Sequence, residues 1–200
     1  MKTRLEAIWE HGDHRLRIVE PDSEQLREAA LSFSSWYSET HNRAMMTGEP
    51  MSPDDAFEYH RESQNSGNRV FFLYADGQLM GDSDFRHLEH GSGEWAIMVG
   101  NRQAQGNGLG TSFGILLHHV AFAALGLQRV YLAVIPDNAG GVRCYEKVGY
   151  ELDTSEAARR FAEDETDICM SLPRERFYEL HWRKLEPARV GTVQVVRKGL

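Results

Sequence analysis

Cysteine is scarce: Cys144 and Cys169 are the two in 200 residues. Two thiols make no disulfide framework, and a reducing, cytoplasmic setting is the default for such a chain. Long apolar runs are missing as well. The longest, residues 113–127, is interrupted by His118 and His119. It falls short of the roughly 18 uncharged residues that span a bilayer, so it reads as a buried core helix and no membrane contact is expected. Residues 1–9 lack the apolar stretch of a secretory signal. Positive charge is in deficit: 22 Lys and Arg stand against 30 Asp and Glu, a formal net charge of −8. That balance argues against nucleic acid as a partner. The histidine pairs His11/His14 and His87/His90 have no Cys, His or carboxylate set at zinc spacing around them, so no metal is expected. The sequence holds no repeats and no low-complexity segment.

What is present is an ordinary globular composition, 41% hydrophobic and 26% charged, over a length that suits one domain. Residues 1–13 show no clear period and are read as a leader. Residues 15–19 alternate as a first strand. Pro21-Asp22-Ser23 caps a helix running to about Tyr37. Ser52-Pro53-Asp54-Asp55 opens a second helix, with a capping serine, a proline in the first turn and carboxylates at the positive end of the dipole. A β-rich run over 69–75, an Asp76-Gly77 turn and a return over 78–87 make a hairpin. Residues 94–99 form a fourth strand, residues 111–125 a helix closed by Gly126, and residues 129–135 a fifth strand. Residues 138–148 fit a helix stopped by Gly149. Two last strands at 150–153 and 166–172, a helix over about 173–182 and a strand-like segment at 190–197 finish the chain.

The chain is organised around residues 94–111, E-W-A-I-M-V-G-N-R-Q-A-Q-G-N-G-L-G-T. A strand runs into a glycine-rich turn and then into a helix N-terminus. Glycines permit positive φ and a close backbone approach. The first-turn N–H groups and the helix dipole then face an anion, so a phosphate-bearing cofactor is the expected guest. A P-loop does not fit, because no lysine precedes Thr111. A dinucleotide fingerprint does not fit either: Gly106, Gly108 and Gly110 have the wrong spacing, and no acidic residue follows about twenty positions on at a strand end. The pattern Q/R-x-x-G-x-G/A does match, from Gln105 to Gly110.

Some thirty positions on comes R-V-Y-L-A-V-I-P-D-N-A-G-G-V-R-C-Y-E-K-V-G-Y, residues 129–150. With both motifs in this order and at this separation, the chain resembles the GNAT superfamily of acetyl-CoA-dependent N-acetyltransferases. Within it, the chain looks most like the branch of ribosomal-protein N-terminal and spermidine acetyltransferases. The motifs cover residues 94–150 and the likeness extends more loosely over 14–172. The expected organisation is a leader at 1–13, an acetyltransferase domain at 14–172 and a helix-and-strand extension at 173–200. The resemblance implies an α+β fold, an α/β/α sandwich. Its mixed, mostly antiparallel sheet carries helices on both faces and splays between the fourth and fifth strands, where acetyl-CoA is held. It implies direct acetyl transfer to a primary amine with no acyl-enzyme. It also implies that Met98, Val99 and Gly100 pair with pantetheine amides. Gln105, Gly106, Asn107, Gly108, Leu109, Gly110 and Thr111 would cradle the pyrophosphate, Asn138 would hold the pantetheine arm and Tyr145 would meet its sulfur. Asn107 stands where the family often has a basic residue. The cradle works through backbone N–H groups, so weaker charge attraction without loss of binding is expected.

The residue types set out the chemistry. A lysine-like amine titrates near 10.4, so something must accept its proton, directly or through water. The thioester oxyanion wants N–H donors and the leaving thiolate wants an acid. Tyr145, seven residues or two helical turns from Asn138, is the candidate acid; the alternative is a wall of the core. Glu94 is the candidate base, on one strand face with Ala96 and Met98; the alternative is a solvated strand-end carboxylate. Cys144 has no histidine partner nearby in the sequence and is read as a buried thiol, not a nucleophile.

Between residues 39 and 94, eleven acidic residues stand against four arginines, so nearly the whole net charge is concentrated there. An acidic cleft attracts a cationic amine such as a polyamine, a protein N-terminus or another small amine; a solvated acidic face is the alternative. Trp36, Tyr37, Phe57 and Tyr59 fit either cleft wall or core. A non-catalytic acetyl-CoA-binding sensor or scaffold is the competing function, against which Asn138 and Tyr145 speak. The segment 190–197 needs a sheet edge to pair with. Members of the family are often dimers, so it is expected to cross to, or help form, a homodimer interface; the alternative is an edge of its own sheet or plain disorder.

Overall fold

The computed structural model describes residues 4–46, 49–185 and 190–196. Part of the supposed leader is a strand, β1 (Arg4–His11), paired antiparallel with β2 (His14–Val19). Leu5, Ala7 and Trp9 are buried on one face while Ile8 sits on the other. That apolar residue on the outer face hid the two-residue period. Buried Glu20 accepts the Leu5 N–H at 2.7 Å and pairs with Arg69, which locks β1 down.

Helix α1 (Ser23–Ser38) starts at a capping box between Asp22 and Gln25. A short α2 (Thr40–Arg43) follows, capped by Glu39. Helix α3 (Pro53–Asn65) starts at a second box between Ser52 and Asp55. Strands β3 (Arg69–Ala75) and β4 (Gln78–Glu89) turn at Asp76 and Gly77, both at positive φ as that tight turn requires. Next come β5 (Ser92–Val99), α4 (Leu109–Ala123), β6 (Arg129–Val134) and α5 (Ala139–Val148). The chain continues through β7 (Glu151–Leu152), α6 (Glu156–Arg159), β8 (Ile168–Pro173), α7 (Arg174–His181) and β9 (Val190–Val196).

Among the described residues one sheet carries all nine strands, in the order β7-β8-β6-β5-β4-β3-β2-β1-β9. Strands β5 and β6 run parallel and the other pairs antiparallel. The mixed sheet with helices on both faces is the expected α/β/α sandwich. Helices α1 and α3 cover one face through Phe33, Val70, Phe72 and Met98. Helices α4 and α7 cover the other through Trp9, Phe71, Phe85, Trp95, Phe113 and Phe177. Each fully buried phenylalanine contributes about 1.5–3 kcal/mol.

Strand β9 pairs with β1, from Arg4↔Val196 to Trp9↔Val190. Within this chain the segment takes the alternative given for it, an edge of its own sheet. The edge it uses belongs to β1, the strand that the sequence concealed. Among the described residues no helix is long and apolar enough to cross a membrane.

Candidate active site

Strands β5 and β6 stay paired only at Ser92↔Arg129, Gly93↔Val130 and Glu94↔Tyr131. Beyond that point β5 remains bonded to β4 as far as Val99, and β6 to β8 as far as Val134. The two strands diverge, and the sheet opens between them after Glu94. This is the splay expected between the fourth and fifth predicted strands, which β1 renumbers as β5 and β6.

The glycine loop lies past the open end of β5. Gly106 and Gly108 have φ of 78° and 83°, and an added Cβ would meet nothing within 4 Å at either. The conformation, not crowding, requires glycine there, and the space beside the backbone is open. Gly108 is the N-cap of α4, and the Ser112 N–H is bonded to its carbonyl at 3.0 Å. The N–H groups of Leu109, Gly110 and Thr111 therefore belong to the unsatisfied first turn. The helix begins two residues earlier than the sequence reading placed it. Gly110 packs against Cys144, with 3.4 Å from its would-be Cβ to the sulfur, so it seats α4 on α5.

Side chains hold this loop in place. Gln105 Nε2 donates to the Val99 carbonyl at 2.7 Å and to Asn42 Oδ1 at 2.9 Å. Asn42, buried, donates in turn to the Trp36 and Gly100 carbonyls, both at 3.1 Å. The Gly100 N–H bonds the Met80 carbonyl at 2.8 Å, and Trp36 leaves no room for a Cβ at Gly100. Asn107 Nδ2 reaches the Gln103 carbonyl. Gln105 and Asn107 thus brace the loop with their side chains, and Val99 has its carbonyl already engaged. Asn42 was missed in the sequence, where a lone polar residue in a short helix carries no pattern.

Asn138 is the N-cap of α5. Its Oδ1 accepts the Gly141 N–H at 2.8 Å and its Nδ2 donates to the Met45 carbonyl at 3.2 Å. Tyr145 follows on α5, packed edge-on to Trp95 at 5.6 Å and near Tyr150 at 6.2 Å. Its hydroxyl makes no hydrogen bond to a described residue. Burial pushes its phenol well above the usual value, so it is protonated at neutral pH. Trp95 is fixed by Ser83, which accepts its indole N–H at 2.8 Å. Behind it, His118 Nδ1 donates to the Gly114 carbonyl and Nε2 accepts the Tyr150 hydroxyl, both at 2.7 Å. Burial holds His118 down at about 3, hence neutral. The sequence showed these two rings only as an interruption and a motif end. Cys144 is a free thiol raised by burial, with Thr111 Oγ1 at 3.6 Å, as an inert packing thiol would be.

Glu94 points to the opposite face from Trp95 and Tyr145. There the register sets Arg86 across from Glu94, Asp84 across from Ala96 and Asp82 across from Met98. Arg86 Nε lies 3.3 Å from Asp84 and 3.6 Å from Glu94, and His87 lies 3.6 Å from Glu94. Burial raises Glu94, with Arg86 and His87 pulling the other way. Burial raises Asp84 further, to about 6. Asp82 Oδ2 accepts from Tyr37 at 2.8 Å and from His60 Nε2 at 2.9 Å. Tyr37 thus belongs to the carboxylate row, and Trp36 to the wall of Gly100. The D-S-D-F-R alternation was the available signal for this row. Of the histidine pairs, His11 stacks on Trp9 and His14 pairs with Asp76.

This fold and this opening are those of a GNAT domain, and comparison with known proteins agrees. The model of the Acetyltransferase (GNAT) domain matches residues 15–151. The chain belongs to that family. Mycothiol acetyltransferase of Mycobacteroides abscessus is 41% identical over 75 residues, which cover 36% of this chain and only 25% of that protein. Mycobacterium smegmatis RimJ in complex with CoA-disulfide superposes with a TM-score of 0.71 at 15% identity, over 94% of this chain and 95% of that one. Spermidine N-acetyltransferase from Vibrio cholerae, in complex with CoA and spermine, gives 0.67 at 19% identity, over 81% and 97%.

Proposed function

We propose that the protein transfers the acetyl group of acetyl-CoA directly to a primary amine that arrives as a cation. The one-sided opening of the sheet after Glu94 carries this reading. It leaves β5 with no strand on its β6 side beyond Glu94, which puts Met98 to Gly100 along the opening for the pantetheine arm, and it ends at a loop whose open glycines and first-turn N–H groups suit a pyrophosphate. Acetyl-CoA supplies the activated acyl group. Asn138 offers its Nδ2 to the pantetheine arm in exchange for the long bond to Met45. Tyr145, kept protonated by burial and free of a described partner, gives its proton to the departing sulfur. The amine approaches from the other face, where Glu94 is the β5 member of the carboxylate row that receives its proton. That row lies within the acidic stretch of the chain, which favours a cationic acceptor such as a polyamine, a peptide N-terminus or another small amine.

Two free cysteines fit a cytoplasmic setting. A second copy adding at the outer edge of β9 makes a homodimer. The activity is tested by thermal unfolding with acetyl-CoA and by thiol release with a panel of polyamines, N-terminal peptides, amino acids and aminoglycosides. At 100 times its Kd the ligand should add about 2.7 kcal/mol. An unshifted melting temperature would overturn the cofactor, and stabilisation without release across the panel would leave a binder in place of an enzyme.

A further inference from the structure

The row on β4 contains unmet hydrogen-bonding capacity that the fold does not use. Asp82 is 6% exposed, yet its Oδ1 has no hydrogen-bond partner among the described residues. Its other oxygen is saturated by Tyr37 and His60. His60 Nδ1 donates to the Ala56 carbonyl at 2.7 Å, so its Nε2 donates to Asp82 as the imidazolium, the form that Asp82 favours. Asp84, two residues on and therefore on the same face, has Arg86 Nε at 3.3 Å as its one ion contact and receives no hydrogen bond from a described residue. Across from it stands Ala96, a side chain that offers no donor. Glu94 differs: Arg86 and His87 both flank it.

A primary ammonium brings three N–H donors and no acceptor. Asp82 Oδ1 and the two Asp84 oxygens are three acceptors that receive no hydrogen bond from a described residue, with Arg86 beside Asp84 Oδ1 as an ion contact only. We infer that the acceptor docks as a primary ammonium between Asp82 and Asp84, and that Asp84, rather than Glu94, takes the proton that frees its lone pair. The inference rests on the acetyltransferase reading. The amine loses two protons overall. The first goes to Asp84 and from there to water. As the C–N bond forms and the C–S bond breaks, the second replaces the proton that Tyr145 gives to sulfur. The groups facing Asp84 are Asp82 and Arg86 on β4, Glu94 on β5, Tyr59 and His60 on α3 and Tyr37 on α1. Burial raises it to about 6, with Arg86 and His60 pulling it down and Asp82 and Glu94 pushing it up, so it is suited to accept a proton at neutral pH.

The test is the pH profile of kcat/KM with the panel amine that gives the fastest thiol release. The wild type should rise to about pH 6 and then stay level, because the cationic amine is the form that binds. Asp84→Asn should lose at least about 100-fold at pH 7. It should also keep rising toward the amine's own pKa, about 10 for a lysine-like acceptor, since only the neutral amine can then react. Glu94→Gln, whatever its rate, should keep the level region, and Asp84→Glu should restore it. Acetyl-CoA should stabilise Asp84→Asn as it does the wild type, which separates lost chemistry from lost folding. A wild-type-shaped profile in Asp84→Asn, or loss of the level region in Glu94→Gln instead, overturns the inference. Absence of release by the wild type across the whole panel overturns the reading beneath it.

Discussion

At the scale of single residues, the two faces of β5 divide the work. Trp95 turns toward α5 and carries Tyr145, while Glu94 turns toward Asp84 and Arg86. Replacing Tyr145 with phenylalanine keeps the ring contacts and removes the proton. The expected loss in kcat is about 10- to 1000-fold, with acetyl-CoA affinity unchanged; equal loss of affinity would make the tyrosine structural. Asp84 should also show what its burial costs. Its folded carboxyl titrates at about 6 and an unfolded one near 3.8. Below about pH 4 both states are protonated and the full stability is present. As pH rises through 6 the unfolded chain releases its proton first, and stability is lost, on the order of 2–3 kcal/mol. Asp84→Asn should therefore match the wild type at pH 4 and melt higher than it at pH 8. Chemical denaturation at the two pH values checks this, and no difference between them would show that the carboxyl titrates normally. His60 acts in the same sense. Burial pulls it down, but Asp82 outweighs burial and raises it, so the stability it lends fades as pH climbs above about 6.5.

At the scale of elements, the site depends on where the β4–β5 pair lets its backbones touch. A Cβ on Gly81 would lie 1.8 Å from the Met98 carbonyl oxygen. Backbone cannot yield as a side-chain tip can, so Gly81→Ala should push β5 away from β4 and cost about 3 kcal/mol or more. Displacement of Met98 should weaken acetyl-CoA binding along with the fold, and both are read from thermal melts with and without the ligand. A melt like that of the wild type would mean that the strands adjust freely. The loop after β5 behaves differently. At Gly108 there is room for a side chain but φ is 83°. A bulky substitution such as Gly108→Val should remove the stabilisation by acetyl-CoA, through strain at the N-cap and occupation of the open space. Retained stabilisation would move the pyrophosphate elsewhere.

For the whole molecule, the sheet is closed on one side by its two ends of chain, β1 and β9. A chain ended at Lys184 leaves β1 as the exposed edge, with Trp9 beneath it. It should melt lower than the full chain. If the outer edge of β9 makes the homodimer, it should also elute as a monomer where the full chain elutes as a dimer. An identical oligomeric state with both chains folded would remove β9 from the interface.

The longer helices and most strands were legible because they obey local rules. Capping boxes at Asp22 and Ser52, the Asp76-Gly77 turn and the stop at Gly149 each act within a few residues, and the structure contains all four. The glycine loop and its helix were legible for the same reason, since positive φ at Gly106 and Gly108 is a demand of the backbone itself. Strand β1 was not, because Ile8 faces outward and an apolar residue on the wrong side erases a two-residue period. Neither was the edge on which β9 pairs. The carboxylate row was present in the alternation of Asp82, Asp84 and Arg86. Its meaning lay in partners 22 and 45 residues away, His60 and Tyr37, which spend one Asp82 oxygen and leave the other without a partner among the described residues. A sequence shows which face a side chain takes. How many of its hydrogen bonds are already made is decided only when distant segments pack together, and that decides which groups remain available for a substrate.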